Sequence, residues 1–173
     1  MSTPAEIWRQ AADKFTSVLA EVTDDQWDSA TTCDEWTVRD LVDHIVHWQG
    51  LGGSILGAGT TPDDNWETIR PALSDALDGP ANFEGTAEAM GGMPKHQVAG
   101  FVIGDLVIHT WDLARSIGAN ETLPSEAVDA TMLGLSRLPP ETLRRGDMFG
   151  EPVEIADDAS AQDQLLAFVG RTP

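Results

Sequence analysis

Four side chains capable of chemistry fall on one face of a helix predicted over residues 99–118. At about 100° per residue, Asp105, His109, Asp112 and Ser116 form one narrow stripe, and apolar residues cover the rest of the helix surface. A helix that is apolar nearly all round is expected inside a protein. Buried carboxylates are unfavourable unless they are paired or bind a metal. The stripe therefore predicts a divalent-metal site, with a buried polar network around an Asp105–His109 hydrogen bond as the alternative.

A third ligand is needed, because zinc, nickel and iron sites usually take three or more protein ligands. A second predicted helix, capped by Thr37 and ending near Leu51 or Leu56, carries two histidines. His44 lies at the edge of its inward face, whereas His47 points away from the core. We therefore expect His44 to join Asp105 and His109 as a metal ligand. The inward face itself is centred on Val38, Leu41, Val42, Ile45, Gln49 and Gly52.

The roles of other polar residues can be interpreted in more than one way. Asp40 either orients the His44 ring or serves the N-terminus of its own helix. Asp112, one turn beyond His109, is assigned as a catalytic residue, with a fourth ligand or a hydrogen bond to a ligand as alternatives. His96 falls in a predicted long loop over residues 80–98 and is expected at the surface. Cys33 lies next to two acidic residues, Asp34 and Glu35, in a turn-like segment, which favours an ordinary, partly exposed thiol.

The hydrophobic pattern predicts an all-α protein. Beyond the two helices above, others are expected over about 63–77, 124–138 and 159–169, after a first helix that begins at Pro4 and ends near Val22. Strand-like alternation is nearly absent from the sequence. We expect one domain over residues 1–173, an up-down four-helix bundle with additional short helices.

Composition narrows the class of protein. The chain has 29 acidic and 10 basic residues and a net charge of −19, which argues against nucleic-acid binding. The sequence has no run of 18 apolar residues and no signal-peptide pattern, so we expect a cytoplasmic protein without a membrane partner. Its single cysteine rules out a disulfide within the chain. Whether the chain forms a homodimer is left open.

Two segments resemble a known family. The segment WTVRDLVDH, which ends at His44, and the segment DLVIHTWDLAR, which begins at Asp105, resemble the helix signatures of the DinB-like metal-binding superfamily. More narrowly, the chain resembles the metal-binding domain family of mycothiol-dependent maleylpyruvate isomerase. The final residues, LLAFVGRTP, are similar to the C-terminus of its small single-domain members.

The resemblance implies a DinB-like four-helix bundle with a divalent metal, most often zinc, held by His44, Asp105 and His109. Nickel, iron and cobalt suit the same ligands. In the isomerase the matching carboxylate is a glutamate. Asp105 is one methylene shorter, so its carboxylate stays closer to its own helix.

The family contains thiol-dependent isomerases and transferases, so the first expectation is a transferase or isomerase that uses mycothiol and a small electrophilic substrate. Two imidazoles and one carboxylate leave a metal with an open position, as in catalytic zinc sites. Asp112 or water would move the proton, and the loop over 80–98 would cover the site. Two alternatives remain: a hydrolase that activates water, and a metal- or ligand-binding module without catalysis.

Overall fold

The structure is a computed structural model that describes residues 2–144 and 149–173. Seven helices occur in this part of the chain, and the only sheet in it is a two-stranded hairpin, which confirms the all-α class. In chain order the elements are α1 (Pro4–Leu19), α2 (Val38–Ile55), α3 (Trp66–Asp78), β1 (Thr86–Ala87), β2 (Met93–Pro94), α4 (Lys95–Ile117), α5 (Ser125–Leu135), α6 (Pro140–Leu143) and α7 (Ala161–Phe168).

Local sequence signals set the start of the first two helices. The Thr3 and Thr37 side chains each accept a hydrogen bond from the backbone N–H three residues later. Glu6 and Asp40 reach back to the capping residue, so both helices begin with a capping box. Asp40 therefore serves the helix N-terminus, one of the two roles considered for it.

Helix α4 is the central element of the fold. It packs against α1, α2 and α5, and α3 packs against α1 and α2. Helices α1, α3, α2 and α4 thus form a ring in which each one contacts two neighbours, an arrangement that suits a four-helix bundle. The DinB-like topology and the single-domain assignment stay predictions.

Helix α4 begins at Lys95, four residues before the predicted start, and ends before Gly118, which adopts the left-handed conformation (φ 73°) as expected of a C-terminal glycine. The prediction that residues 80–98 form a long loop was wrong in detail. This segment contains two short 3₁₀ turns and the β1–β2 hairpin, in which Ala87 pairs with Met93. The first turn of α4 carries the exposed His96.

Buried polar contacts fix α2 against α4. The Trp8 indole N–H donates to Gln49 Oε1 at 3.0 Å, and Gln49 Nε2 donates to the Val102 carbonyl at 2.9 Å. Gly52 lies so close to α4 that a Cβ there would be 2.3 Å from Val102 Cγ2. All six residues of the predicted inward face of α2 are buried. This packing brings His44 of α2 opposite the polar stripe of α4.

Candidate metal centre

The structure brings the three predicted ligands together. One ligand atom from each of His44, Asp105 and His109 lies within 4.8 Å of the others. Asp105 Oδ1 is 3.2 Å from His44 Nε2 and 3.6 Å from His109 Nε2. The second of these distances is too long for a hydrogen bond. The Asp105–His109 pair expected under the polar-network alternative is therefore not formed.

These distances fit a shared cation. With zinc–nitrogen and zinc–oxygen bonds near 2.0–2.1 Å, tetrahedral ligand atoms lie about 3.4 Å apart. Asp105 Oδ2 is buried and has no hydrogen-bond partner among the described residues. A buried carboxylate oxygen without a partner is unfavourable and needs a donor or a cation. The donor set and this oxygen both fit a divalent metal.

The other candidates lie apart from this cluster. His47 and His96 are exposed, and His47 is on the outer face of α2 as predicted.

Trp36 packs against the His44 ring, with 4.7 Å between ring centroids, and lies 6.0 Å from the His109 ring. The two imidazoles meet edge to face at 5.0 Å. Trp36 therefore forms a wall of the site.

Asp112 lies on the other side of His109. Its side chain is completely buried, and its Oδ2 accepts a hydrogen bond from His109 Nδ1 at 2.9 Å. Thr32 Oγ1 donates to Asp112 Oδ1 at 2.8 Å, and the Arg171 guanidinium donates to both oxygens at 3.1 and 2.8 Å. Cys33 Sγ approaches Oδ2 to 3.4 Å. These contacts suit a group that orients the His109 ring. The catalytic role assigned to Asp112 stays a prediction.

The two carboxylates favour positive charge between them. Burial alone would lower the pKa of His109, but the charge of Asp105 and the hydrogen bond to Asp112 outweigh it and raise that pKa to about 10. Burial would likewise raise the pKa of Asp112. Its hydrogen bonds with His109 and Arg171 instead hold that pKa far below the ordinary range of a carboxylic acid.

Sequence reasoning missed the contribution of Thr32, Cys33 and Arg171. The segment before α2 folds back on itself, with a bridge between Ala30 and Thr37 and a hydrogen bond from Trp36 N–H to the Cys33 carbonyl. This turn places Cys33 against Asp112. Two signals pointed to Arg171: the buried Asp112 requires a cationic partner, and the segment LLAFVGRTP, which resembles the family, contains this arginine.

A large cavity opens onto the cluster. It has a volume of about 1210 Å³, and its walls carry all three predicted ligands together with Trp36, Trp48, Phe101, Trp111, Cys33 and Arg171. No residue of segment 80–98, all of which the structure describes, belongs to the lining. The predicted covering role of that segment is not seen.

The fold and the site thus define an all-helical protein with a His–Asp–His cluster at the base of an open cavity. None of the described helices has the length and apolar character needed to cross a membrane. Residues 8–87 match the family model of the mycothiol maleylpyruvate isomerase N-terminal domain, which agrees with the resemblance found in the sequence. This segment includes His44 and ends before α4.

Two relatives extend over nearly the whole chain. They are proteins of Mycobacterium tuberculosis, one from strain CDC 1551 / Oshkosh and one from strain ATCC 25618 / H37Rv, and both are described as uncharacterized. Each is 29% identical over 178 residues, and the alignment covers 98% of this chain and 98% of the relative. No solved structure matches the chain significantly.

Proposed function

We propose that this protein is a metal-dependent enzyme that activates a small thiol, with mycothiol as the first candidate, for transfer to an electrophilic carbon or for thiol-assisted isomerisation. The observation that carries the proposal is the carboxylate of Asp105 in the cavity wall: its Oδ1 lies 3.2 and 3.6 Å from two imidazole nitrogens, and its buried Oδ2 has no partner among the described residues. The family match supports a thiol of the mycothiol class.

His44, Asp105 and His109 would hold the metal. Zinc suits this nitrogen and oxygen donor set best, and nickel, iron and cobalt also accept it. When bound, such a metal lowers the pKa of a coordinated thiol and keeps the thiolate available at neutral pH. Three protein ligands leave room for that thiol, as in catalytic zinc sites.

The cavity suits a small thiol and a second reactant together. Pockets that bind small molecules measure about 300–1,000 Å³, and this one, at about 1210 Å³, lies above that range. Trp36, Trp48 and Phe101 supply apolar walls close to the cluster, which limits the access of water. In conjugate addition the sulfur–carbon bond forms as the carbon–carbon double bond opens, and the thiol proton ends on the neighbouring carbon.

Asp112 acts through His109 in this scheme. Both of its oxygens already accept hydrogen bonds, and its side chain is closed to the cavity. These contacts support a role in holding the ring, whereas the proton transfer predicted for Asp112 would need one of these hydrogen bonds to break.

The first experiment measures metal binding. The protein is purified without an affinity tag, and its metal content and affinity are determined by elemental analysis and titration against a chelator. We expect one metal per chain, loss of tight binding in His44→Ala and in His109→Ala, and near-normal affinity in His47→Ala. His47 is the matched control because it is an exposed histidine on the same helix as His44. Equal loss in all three variants would contradict the ligand assignment.

The second experiment measures activity of the metal-loaded protein. Mycothiol is supplied with a conjugate-addition acceptor or a displacement electrophile, and product is followed by mass spectrometry. Turnover that requires both thiol and metal supports the proposal. Ester hydrolysis without any thiol would point instead to a hydrolase. A metal-loaded protein that neither binds thiol nor turns over substrate would contradict the proposal.

A further inference from the structure

The C-terminal tail reaches into the candidate metal centre. Arg171, which follows the last helix, donates from Nε to Asp112 Oδ1 at 3.1 Å and from Nη2 to Asp112 Oδ2 at 2.8 Å. Its side chain is only 16% exposed, and Asp112 is fully buried. A bidentate guanidinium–carboxylate pair fixes both partners in one plane, which a single hydrogen bond does not do.

The end of α7 sets the direction of this tail. The Arg171 N–H donates to the Leu166 carbonyl at 2.8 Å, and the Gly170 N–H donates to the Ala167 carbonyl at 3.1 Å. These two bonds form a Schellman motif, in which Gly170 takes the left-handed conformation with φ of 83°. A Cβ on Gly170 would lie 2.7 Å from the Gly150 Cα, so the tail also packs tightly against the preceding segment. The backbone thereby returns Arg171 toward α4.

Asp112 in turn controls the orientation of His109. A carboxylate with both oxygens held by a guanidinium can only accept hydrogen bonds, so the His109 Nδ1 must donate to Oδ2 across the 2.9 Å contact. Nε2 is then the ring nitrogen that faces Asp105 and the cavity, and it presents its lone pair there once its own proton has left. Metal-binding imidazoles are commonly oriented by such a carboxylate on the other ring nitrogen.

We propose that Arg171 is a positioning residue of the metal centre, acting through Asp112 to hold His109 with Nε2 available for the metal. The inference rests on the proposed function, because it concerns the same cluster. It adds the C-terminal tail, 59 residues along the chain from Asp112, as a part of the site. The tail supports the centre from the cavity wall, because the Arg171 side chain contacts Asp112 and none of the three predicted ligands.

The test compares Arg171→Met and Arg171→Lys with the wild-type protein, and uses Arg70→Met as the control. Arg70 is a more exposed arginine that pairs with Asp13 at the surface. Metal affinity is measured by chelator competition, ligand geometry by the absorption spectrum of the cobalt-loaded protein, and the hydrogen bond from His109 Nδ1–H to Asp112 by proton and nitrogen-15 NMR of the metal-free protein. We expect Arg171→Met to weaken metal affinity by about 10- to 100-fold, as loss of such a supporting contact does. The metal affinity of Arg171→Lys should lie between those of the wild-type protein and Arg171→Met, because lysine keeps the positive charge but lacks the planar guanidinium that binds both carboxylate oxygens.

Each outcome has a distinct meaning. Weaker affinity, an altered cobalt spectrum and a weakened hydrogen bond from His109 Nδ1–H in the Arg171 variants, with Arg70→Met unchanged, support the proposal. A lower melting temperature with unchanged affinity, spectrum and hydrogen bond would show a merely structural role and overturn it. If Arg171→Met does not fold, Arg171→Lys supplies the same readouts. If the wild-type protein binds no metal, the proposed function fails, and a His109 hydrogen bond that is the same in all variants then also rejects positioning by Arg171.

Discussion

The two nitrogens of the His109 ring face opposite kinds of surroundings. On the Nε2 side lie Asp105 and His44 at the base of a cavity, and one carboxylate oxygen there has no partner among the described residues. On the Nδ1 side, Asp112 is fully buried and both of its oxygens accept hydrogen bonds. Both sides concentrate carboxylate and imidazole groups, but Asp112 is paired with an arginine, Arg171, whereas among the described residues Asp105 is paired with histidines alone.

This difference gives the two sides of His109 different roles, one in binding a ligand and the other in holding the ring. A closed group of side chains gains nothing from a ligand, because its hydrogen bonds are already made. An open group with an unpartnered buried oxygen is less stable alone and gains from one. The cavity side of His109 is therefore the reactive side, and the side of Asp112 and Arg171 holds the ring in place. The predictions below test this contrast from the largest expected effect to the smallest.

Removing the carboxylate charge should affect the two sides unequally. Asp112→Asn leaves the buried Arg171 without its counter-charge, and we expect the free energy of unfolding to fall by about 3–5 kcal/mol. Asp105→Asn should lower it by about 1 kcal/mol in metal-free protein, because one oxygen of Asp105 has no partner to lose. Urea unfolding with a chelator present measures both. Equal losses would show that the two sides do not differ in this way.

The glycine that directs the tail should be sensitive to a methyl group. Gly170→Ala combines an unfavourable φ with a clash against the Gly150 backbone, and we expect a loss of about 2–4 kcal/mol. Gly118→Ala is the matched control, because Gly118 also has positive φ but has no atom within 4 Å of the added Cβ. It should cost about 1 kcal/mol. The same unfolding measurement decides whether tail packing contributes beyond the backbone angle.

Metal should stabilise the protein through the open side alone. At a free metal concentration one hundred times the dissociation constant, binding adds about 2.7 kcal/mol to the free energy of unfolding. For a chain of this length that corresponds to a rise in melting temperature of about 5–11 °C. Asp105→Asn should abolish the rise, whereas Asp43→Asn, an exposed acid on α2, should retain it. Calorimetry with and without metal measures the shift, and a full shift in Asp105→Asn would contradict the ligand role of that residue.

Local signals made much of the fold predictable. Pro4 at a first helical position and Thr37 as a capping residue predict the starts of α1 and α2, and both starts are confirmed. Helix α4 has no side-chain N-cap, and its true start at Lys95 was missed for that reason. The hairpin within 80–98 was missed as well, because two-residue strands carry no readable alternation.

The candidate site likewise has one part that the sequence predicts and one part that it does not. Helical periodicity placed His109 and Asp105 on one stripe and His44 on an inward edge, so the open side could be assembled from the sequence. The pairing of Arg171 with Asp112 joins residues 59 positions apart, and the tail around Arg171 has no periodic pattern. Cys33 and Thr32 reach Asp112 from an irregular turn. Contacts made by irregular segments depend on the finished fold, which is why they did not follow from the sequence.

The smallest expected effect concerns Thr32, which donates one hydrogen bond to Asp112 Oδ1 at 2.8 Å. Thr32→Val removes that donor and keeps the shape of the side chain, and we expect a loss of about 1 kcal/mol. The loss stays small because Arg171 Nε still donates to the same oxygen, whereas Arg171 itself serves both oxygens. Thr32→Ser keeps the hydroxyl and should restore most of the stability in urea unfolding. If Thr32→Ser costs as much as Thr32→Val, the threonine acts through its methyl group. If Thr32→Val costs as much as Arg171→Met, the closed side of His109 depends on every donor rather than on the guanidinium.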